Sequence, residues 1–292
     1  MKCLIIGGNR FVGLRLANAL DLVTGIDLHV LNRTGQVAHT KNAVIHKGDR
    51  AHLATTFLDT DWDIIFDFAA YTQKDAEGSL QFFKKVSRYI FISTSSVYSG
   101  PADRKEEDFR PDKFDLGQPA KVPPDYSDGK RRTEAAFTQQ NQFPVLSVRF
   151  PFIVGPDDYT HRLDFHIDRT LRSDSIYFPN PSAKLSMVHS EDAARFLEWA
   201  MTQPKLAGPL NVASPDSISL SGLMGQIELI TGIKPVLASA EKDDNHSPFE
   251  VDTDCFINTD RMIQAGFQTR PIAEWLPSLI GKIPTIKPRF VH

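Results

Sequence analysis

The sequence predicts an α/β protein: a doubly wound parallel sheet with a smaller C-terminal α/β lobe beside it. Three observations carry this expectation. Short apolar runs recur with helix-length segments between most of them, the pattern of strands alternating with helices. The runs are nearly continuous in apolar residues, as strands covered on both faces must be. The first run ends in glycines and opens directly into a segment of helical period.

Taken in order, Cys3-Leu4-Ile5-Ile6 is the first strand, and Phe11, Val12, Leu16, Ala17 and Leu20 mark the helix that follows. Leu28-His29-Val30-Leu31, Val44-Ile45-His46, Ile64-Ile65-Phe66 and Tyr89-Ile90-Phe91-Ile92 are the next four strands, and Val145-Leu146-Ser147-Val148 continues the sheet. Residues 103–124, with charge, four prolines and no periodicity, read as a surface loop. Beyond Gly155-Pro156 the loops lengthen and Pro-rich turns enter at 178–181, between helical patterns at 190–201 and 219–230. Residues 1–155, joined by about 186–205, are therefore expected to form the sheet domain, and 156–292 mainly a second lobe. The acidic stretch 241–254 reads as a solvated loop.

A chain of 292 residues with 41% hydrophobic content can bury one large core or two smaller ones. Its formal charge of -3 leaves no cationic excess for a phosphate backbone, so nucleic acid is not expected as the main partner. Two cysteines, Cys3 and Cys255, support neither a disulfide framework nor a zinc site built from local ligands, and fit a reducing cytoplasm. The apolar start breaks at Gly7-Gly8, short of a signal peptide or a membrane span, so no membrane partner is expected.

Gly7-Gly8-Asn9-Arg10-Phe11-Val12-Gly13 joins the first strand to the first helix. A dinucleotide's pyrophosphate can rest there on helix N-terminal N–H groups, Gly7 allowing the tight turn and Gly13 the close helix–sheet packing. Gly7, Asn9, Arg10, Phe11, Val12 and Gly13 are the candidate contacts. Arg10 stands where a middle glycine is usual. At the end of the second strand, Asn32-Arg33 replaces the acid that receives a NAD ribose. NADP is expected over NAD, with Arg33 and Arg10 gripping the extra phosphate unless both are plain surface residues. Asp49 is a candidate for the adenine amino group, or a helix cap.

Tyr126 and Lys130 lie four apart, on one face of any helix that holds both. A nearby ammonium lowers a phenol pKa, which makes Tyr126 a candidate acid/base for interconverting a hydroxyl and a carbonyl. Lys130 can also hold the nicotinamide ribose. Thr94, just beyond the fifth strand, offers a hydroxyl to polarise the substrate oxygen, with Ser95 and Tyr98 as competitors.

The glycine turn, Ser93-Thr94-x-x-x-Tyr98, Tyr126-x-x-x-Lys130 and Arg149-x-x-x-Ile153-Val154-Gly155-Pro156 occur in that order, followed by Val188-His189-Ser190-Glu191-Asp192, Leu210-Asn211-Val212-Ala213 and Asp260-Arg261. Together they resemble an extended short-chain dehydrogenase/reductase of the NAD-dependent epimerase/dehydratase type, over nearly the whole chain. The resemblance implies a Rossmann domain, with Thr94 as hydrogen-bond donor, Tyr126 as acid/base and Lys130 as its partner. It places Ala69, Ala70 and Tyr71 along the cofactor and Pro151 and Phe152 near the nicotinamide, and it leaves room for a homodimer. Ser95-Ser96 stands where the 4,6-dehydratases carry Asp-Glu, so water elimination is not expected. Phe152 stands where nucleotide-sugar enzymes often carry an Asn, so a sugar or sugar acid without a nucleotide is expected instead. Tyr159, His161 and Arg162 are the candidate substrate contacts; His161 and His166 with Asp157, Asp158 and Asp164 read as a polar loop rather than a metal cluster. Dehydrogenase, reductase and epimerase chemistry stay open, as does a non-catalytic NADP-binding regulator or RNA-associated protein.

Overall fold

The computed structural model describes residues 1–52, 60–117, 125–242, 244–249 and 251–282. Its first half alternates β1 (Lys2–Ile6), α1 (Phe11–Asp21), β2 (Asp27–Asn32), β3 (Val44–Lys47), β4 (Trp62–Asp67), α2 (Gln73–Phe82), β5 (Val86–Thr94), α3 (Tyr126–Thr138) and β6 (Val145–Phe150). Next come β7 (Phe152–Val154), α4 (Arg162–Arg172), β8 (Ser175–Tyr177), β9 (Lys184–His189), α5 (Ser190–Met201) and β10 (Gly208–Asn211). The chain closes with β11 (Ser217–Ser219), α6 (Leu220–Thr231), β12 (Val236–Ala238), α7 (Asp260–Gln264) and α8 (Ile272–Lys282).

Seven strands form one parallel sheet in the order β10-β6-β5-β4-β1-β2-β3. The two-residue period of a strand explains its apolar runs. Cys3 and Ile5 of β1 face α1 and α5, where Leu16, Leu20, Phe196 and Leu197 complete one core. Leu4 and Ile6 face the other side, against Ala76, Ala136 and Phe137 of α2 and α3. Both faces are covered, so neither can be polar. A third apolar cluster gathers α4, α6 and α8 around β8 and β9, with Phe249 and Val251. It lies beside a three-stranded sheet, β11-β9-β7, and a two-stranded one, β12-β8.

Two expected loops are less exposed than their composition suggests. Within 103–124, short 3-10 turns at Glu106–Asp108 and Pro111–Lys113 bury Glu106, Phe109 and Pro111. The Glu106 carboxylate accepts from the Asn211 backbone N–H at 2.9 Å, and the carbonyls of Glu106 and Phe109 accept from the Arg149 guanidinium. Residues 118–124 lie outside the described residues. In the acidic stretch, Asn245, Ser247, Phe249 and Val251 are buried: Phe249 and Val251 join the third core, the Ser247 hydroxyl bonds the His166 ring at 2.9 Å, and the Asn245 side chain accepts from the Lys242 N–H at 2.7 Å.

Among the described residues, the largest fully buried side chain is Arg149. Its guanidinium meets the Glu134 carboxylate at 2.5 and 3.0 Å and donates to the Tyr98 hydroxyl at 2.8 Å. Ser93 donates to the same carboxylate at 2.7 Å, and Tyr98 donates to Asn211 at 2.6 Å. This network ties β5, β6, α3 and β10 together directly below the strand end that carries Thr94.

Candidate functional site

The strand order reverses between β1 and β4, and in an open α/β sheet the crevice at that switch point is where ligands bind. A cleft of about 730 Å³ opens there, running from Asp49 and Arg33 at one end to Pro151, Ile153 and Tyr159 at the other.

Gly7, Asn9, Arg10, Phe11, Val12 and Gly13 all line it. Gly7 has φ +92°, a left-handed conformation that favours glycine. A Cβ on Gly13 would sit 2.9 Å from the Gly8 Cα, so α1 can approach the turn only without one. Side chains cap α2 (Thr72), α3 (Asp125) and α6 (Ser219), whereas α1 has no side-chain cap and no acid in its first turn. Its first N–H groups therefore face the cleft able to take an anion, and a dinucleotide pyrophosphate fits this cradle. Phe11, the first residue of α1, has φ +51°, a strained conformation for a bulky side chain.

At the far end, Asn32 does not reach outward. Its Oδ1 accepts from the Gly35 N–H at 2.7 Å and the Thr34 hydroxyl at 2.8 Å, and its Nδ2 donates to the Gln36 carbonyl at 3.1 Å. This local turn leaves Arg33 exposed on the cleft wall, with Thr34 beside it. Asp49 is exposed on the same wall, and its carboxylate also accepts from the Ala51 N–H at 2.9 Å, so it is a cap as well as a wall residue. Arg50, which the sequence did not single out, forms the floor: it holds the buried Asp67 at 2.7 Å and donates to Ser79. Tyr89 completes this network with a 2.5 Å bond to Asp67.

Tyr126 opens α3 and Lys130 follows one turn later, both on the cleft wall with Thr94. Thr94 and Tyr126 share the cleft wall, and the Thr94 hydroxyl donates to the Ser96 hydroxyl at 3.2 Å. Protein atoms crowding its hydroxyl push the Tyr126 pKa up, with the nearby Thr94 hydroxyl and the Arg162 charge opposing, although 53% of the residue is exposed. The expected lowering by Lys130 does not occur. The Lys130 ammonium donates instead to the carbonyls of Ala70 at 2.8 Å and Ile92 at 2.9 Å and lies over the Tyr71 ring at 4.5 Å. Burial pushes its pKa down to about 8, while Asp67 opposes the shift. Ala69 and Tyr71 line the cleft; Ala70 is fully buried and contributes its carbonyl to Lys130.

On the second-lobe side, Pro151 and Tyr159 are wall residues, but Phe152, His161 and Arg162 are not. Strand alternation in β7 explains Phe152: Ile153 turns to the cleft, so Phe152 packs edge-on against Phe249 at 5.0 Å. Arg162 sits over the Phe152 ring at 5.6 Å, half-buried, and its charge is felt at Tyr126. His161 pairs with Asp164 at 2.8 Å, and His166 is stacked between Phe178 and Phe249 in the third core. Arg15 and Asp157, which sequence reading did not pair, join α1 to this loop with contacts of 2.5 and 2.9 Å. Nothing in their spacing of 142 residues announces the pair.

An open parallel sheet that reverses its strand order beside a glycine-rich strand-to-helix turn defines a nucleotide-binding protein of the doubly wound α/β class. The model of the NAD dependent epimerase/dehydratase family matches residues 3–213, and the chain belongs to that family. Among curated proteins it is 24% identical over 243 residues to the chloroplast stem-loop binding protein of 41 kDa b from Arabidopsis thaliana, covering 76% of this chain and 61% of that one. The chain thus spans about three-fifths of that relative's length. Among solved structures, MoeE5 in complex with UDP-glucose and NAD superposes with a TM-score of 0.73 at 20% identity, over 96% of this chain and 97% of the other. UDP-glucuronic acid 4-epimerase from Bacillus cereus in complex with NAD gives 0.72 at 16% identity, over 97% of each chain. These likenesses show a shared fold.

Proposed function

We propose that the protein transfers a hydride between a nicotinamide dinucleotide, NADP in preference to NAD, and a hydroxyl or carbonyl of a sugar-like substrate, as a dehydrogenase, reductase or epimerase. The observation that carries the reading is one cleft, at the switch point of the sheet, lined by the glycine turn, Arg33, Thr94, Tyr126 and Lys130 together. Residues 1–155 with the returning chain form the cofactor side, and residues 156–292 mainly the substrate side. The bound nicotinamide supplies the hydride acceptor or donor. Thr94 and Tyr126 hold the substrate oxygen between two hydroxyls, and a raised phenol pKa keeps Tyr126 protonated at neutral pH, ready to donate to a forming alkoxide. Lys130, fixed by two carbonyls, sits where it can bind a ribose hydroxyl and acts on the proton only through that contact. We place the protein in the cytoplasm, with a homodimer as its assembly.

A screen of sugars, sugar acids, nucleotide sugars and small carbonyl compounds with NADPH and NADP tests the reading. The expected result is an activity that Tyr126→Phe abolishes while cofactor binding persists; an activity that survives the change contradicts the assignment.

One observation favours a second reading. The curated relative is named as a stem-loop binding protein, which supports an RNA-associated, non-catalytic role. The net charge of -3 speaks against it. A mobility-shift titration with an RNA stem-loop, with and without NADPH, separates the two: salt-sensitive binding in the absence of any turnover supports the second.

A further inference from the structure

Arg10 stands at the middle of the glycine turn, where a side chain is unexpected. Its backbone is extended, with φ -157° and ψ 162°, so the turn accepts a non-glycine residue there. The guanidinium lines the cleft and makes no hydrogen bond or ion pair with the described residues. It lies over the Tyr159 ring, 4.8 Å from the centroid. Its charge also acts on the Tyr71 phenol, which follows β4, so the cation stands near residues from both sides of the cleft.

Tyr159 is itself held in place. Its ring meets Phe11 edge-on, with centroids 6.1 Å apart, and Asp157 two residues earlier is clamped by Arg15. Phe11, Arg15 and Arg10 all belong to the turn and the first helix. The loop before α4 is therefore docked onto the glycine turn through Arg10's neighbours, and its aromatic ring lies against the guanidinium. A cation that lines the cleft without an ionic partner among the described residues, beside uncapped helix N–H groups, is suited to receive an anion, and a guanidinium offers forked donors that match phosphate oxygens.

We propose that Arg10 binds the pyrophosphate of the dinucleotide, the group common to NADP and NAD, and that Tyr159 positions it there, leaving the 2'-phosphate to Arg33. This assignment rests on the cofactor reading above and divides the labour of two arginines that the sequence alone grouped together. Without the arginine, the turn would offer only backbone N–H groups to two phosphates. With it, the bound pyrophosphate also links the glycine turn to the second lobe through Tyr159.

Titration of NADPH and NADH into the full chain and its Arg10→Ala and Arg33→Ala variants tests the proposal. Arg10→Ala is expected to weaken both dinucleotides by the same factor, about 10- to 100-fold, the range for loss of a charge-assisted hydrogen bond. Arg33→Ala is expected to weaken NADPH alone. Tyr159→Ala should weaken both in the wild-type background and add little once Arg10 is absent. Arg10→Lys, which keeps the charge without the fork, should recover part of the loss and guards against a folding defect in the alanine variant. A loss confined to NADPH in Arg10→Ala, or no loss for either, overturns the assignment and leaves the cofactor reading intact. Failure of the wild-type chain to bind either dinucleotide removes both.

Discussion

The floor and the rim of the cleft differ in how far their polar groups are already satisfied. On the floor, Lys130 is tied to two carbonyls, Arg50 to Asp67, and Asn32 to its own turn, each in a buried or half-buried setting. On the rim, Tyr71, Tyr126 and Tyr159 keep 48%, 53% and 53% of their surfaces exposed, while Arg33 and Arg10 project without ionic partners among the described residues. A satisfied floor fixes geometry before any ligand arrives; a rim of open donors and cations gains its partners from the ligand. Binding energy should thus come mainly from the rim, and folding energy from the floor.

The largest expected effect breaks this contrast at its most reactive point. Tyr126→Phe removes one rim oxygen and should lower turnover by about two to four orders of magnitude, with the dinucleotide Kd and the urea midpoint unchanged. Steady-state kinetics beside a denaturation curve checks it, and a matching loss of stability would place Tyr126 with the floor. Next is the Arg149→Met variant beneath the floor. Leaving Glu134 uncompensated in the interior should destabilise the fold by about 3–5 kcal/mol, whereas Arg15→Ala, in a partly exposed pair, should cost under about 1 kcal/mol in the same urea titration.

How much of this could be read in advance follows from the range of the interactions. The strands of β1, β2, β4 and β5, the glycine turn and the one-turn spacing of Tyr126 and Lys130 depend on neighbours within a few residues, so periodicity and motif reveal them. The contacts of Lys130 are not legible in the sequence for the opposite reason. Its ammonium is taken by the carbonyls of Ala70, in the loop after β4, and Ile92, in β5, 60 and 38 residues away, and no local pattern encodes that. Phe152 turned away from the cleft because β7 begins one residue after Pro151, a register that the sequence leaves undetermined. The buried residues of 241–254 include Asn245 and Ser247, polar side chains whose burial depends on partners brought by the fold and not on any apolar period.

Lys130 offers a subtler test of the floor. Its ammonium is easier to deprotonate in the folded chain, near pH 8, than when unfolded, near 10.5. Between those values the unfolded state binds more protons, so stability should rise with pH through this window. Compared with Lys130→Met, the wild type should be relatively weakest below pH 8 and gain as pH rises to 10.5. Parallel denaturation at a series of pH values reads this difference; a gap that stays constant would mean the lysine is not held in a desolvated floor.

The cleft as a dinucleotide site whose rim selects the phosphorylated cofactor is tested most directly by fluorescence titration of the wild-type chain with NADPH and with NADH at one salt concentration. Saturable binding of both, tighter for NADPH by about tenfold or more, is the expected result, since the exposed Arg33 has a charge-assisted hydrogen bond to gain only from the 2'-phosphate. Equal affinities, or tighter NADH, would contradict the selection by the rim, and no binding of either would contradict the site itself.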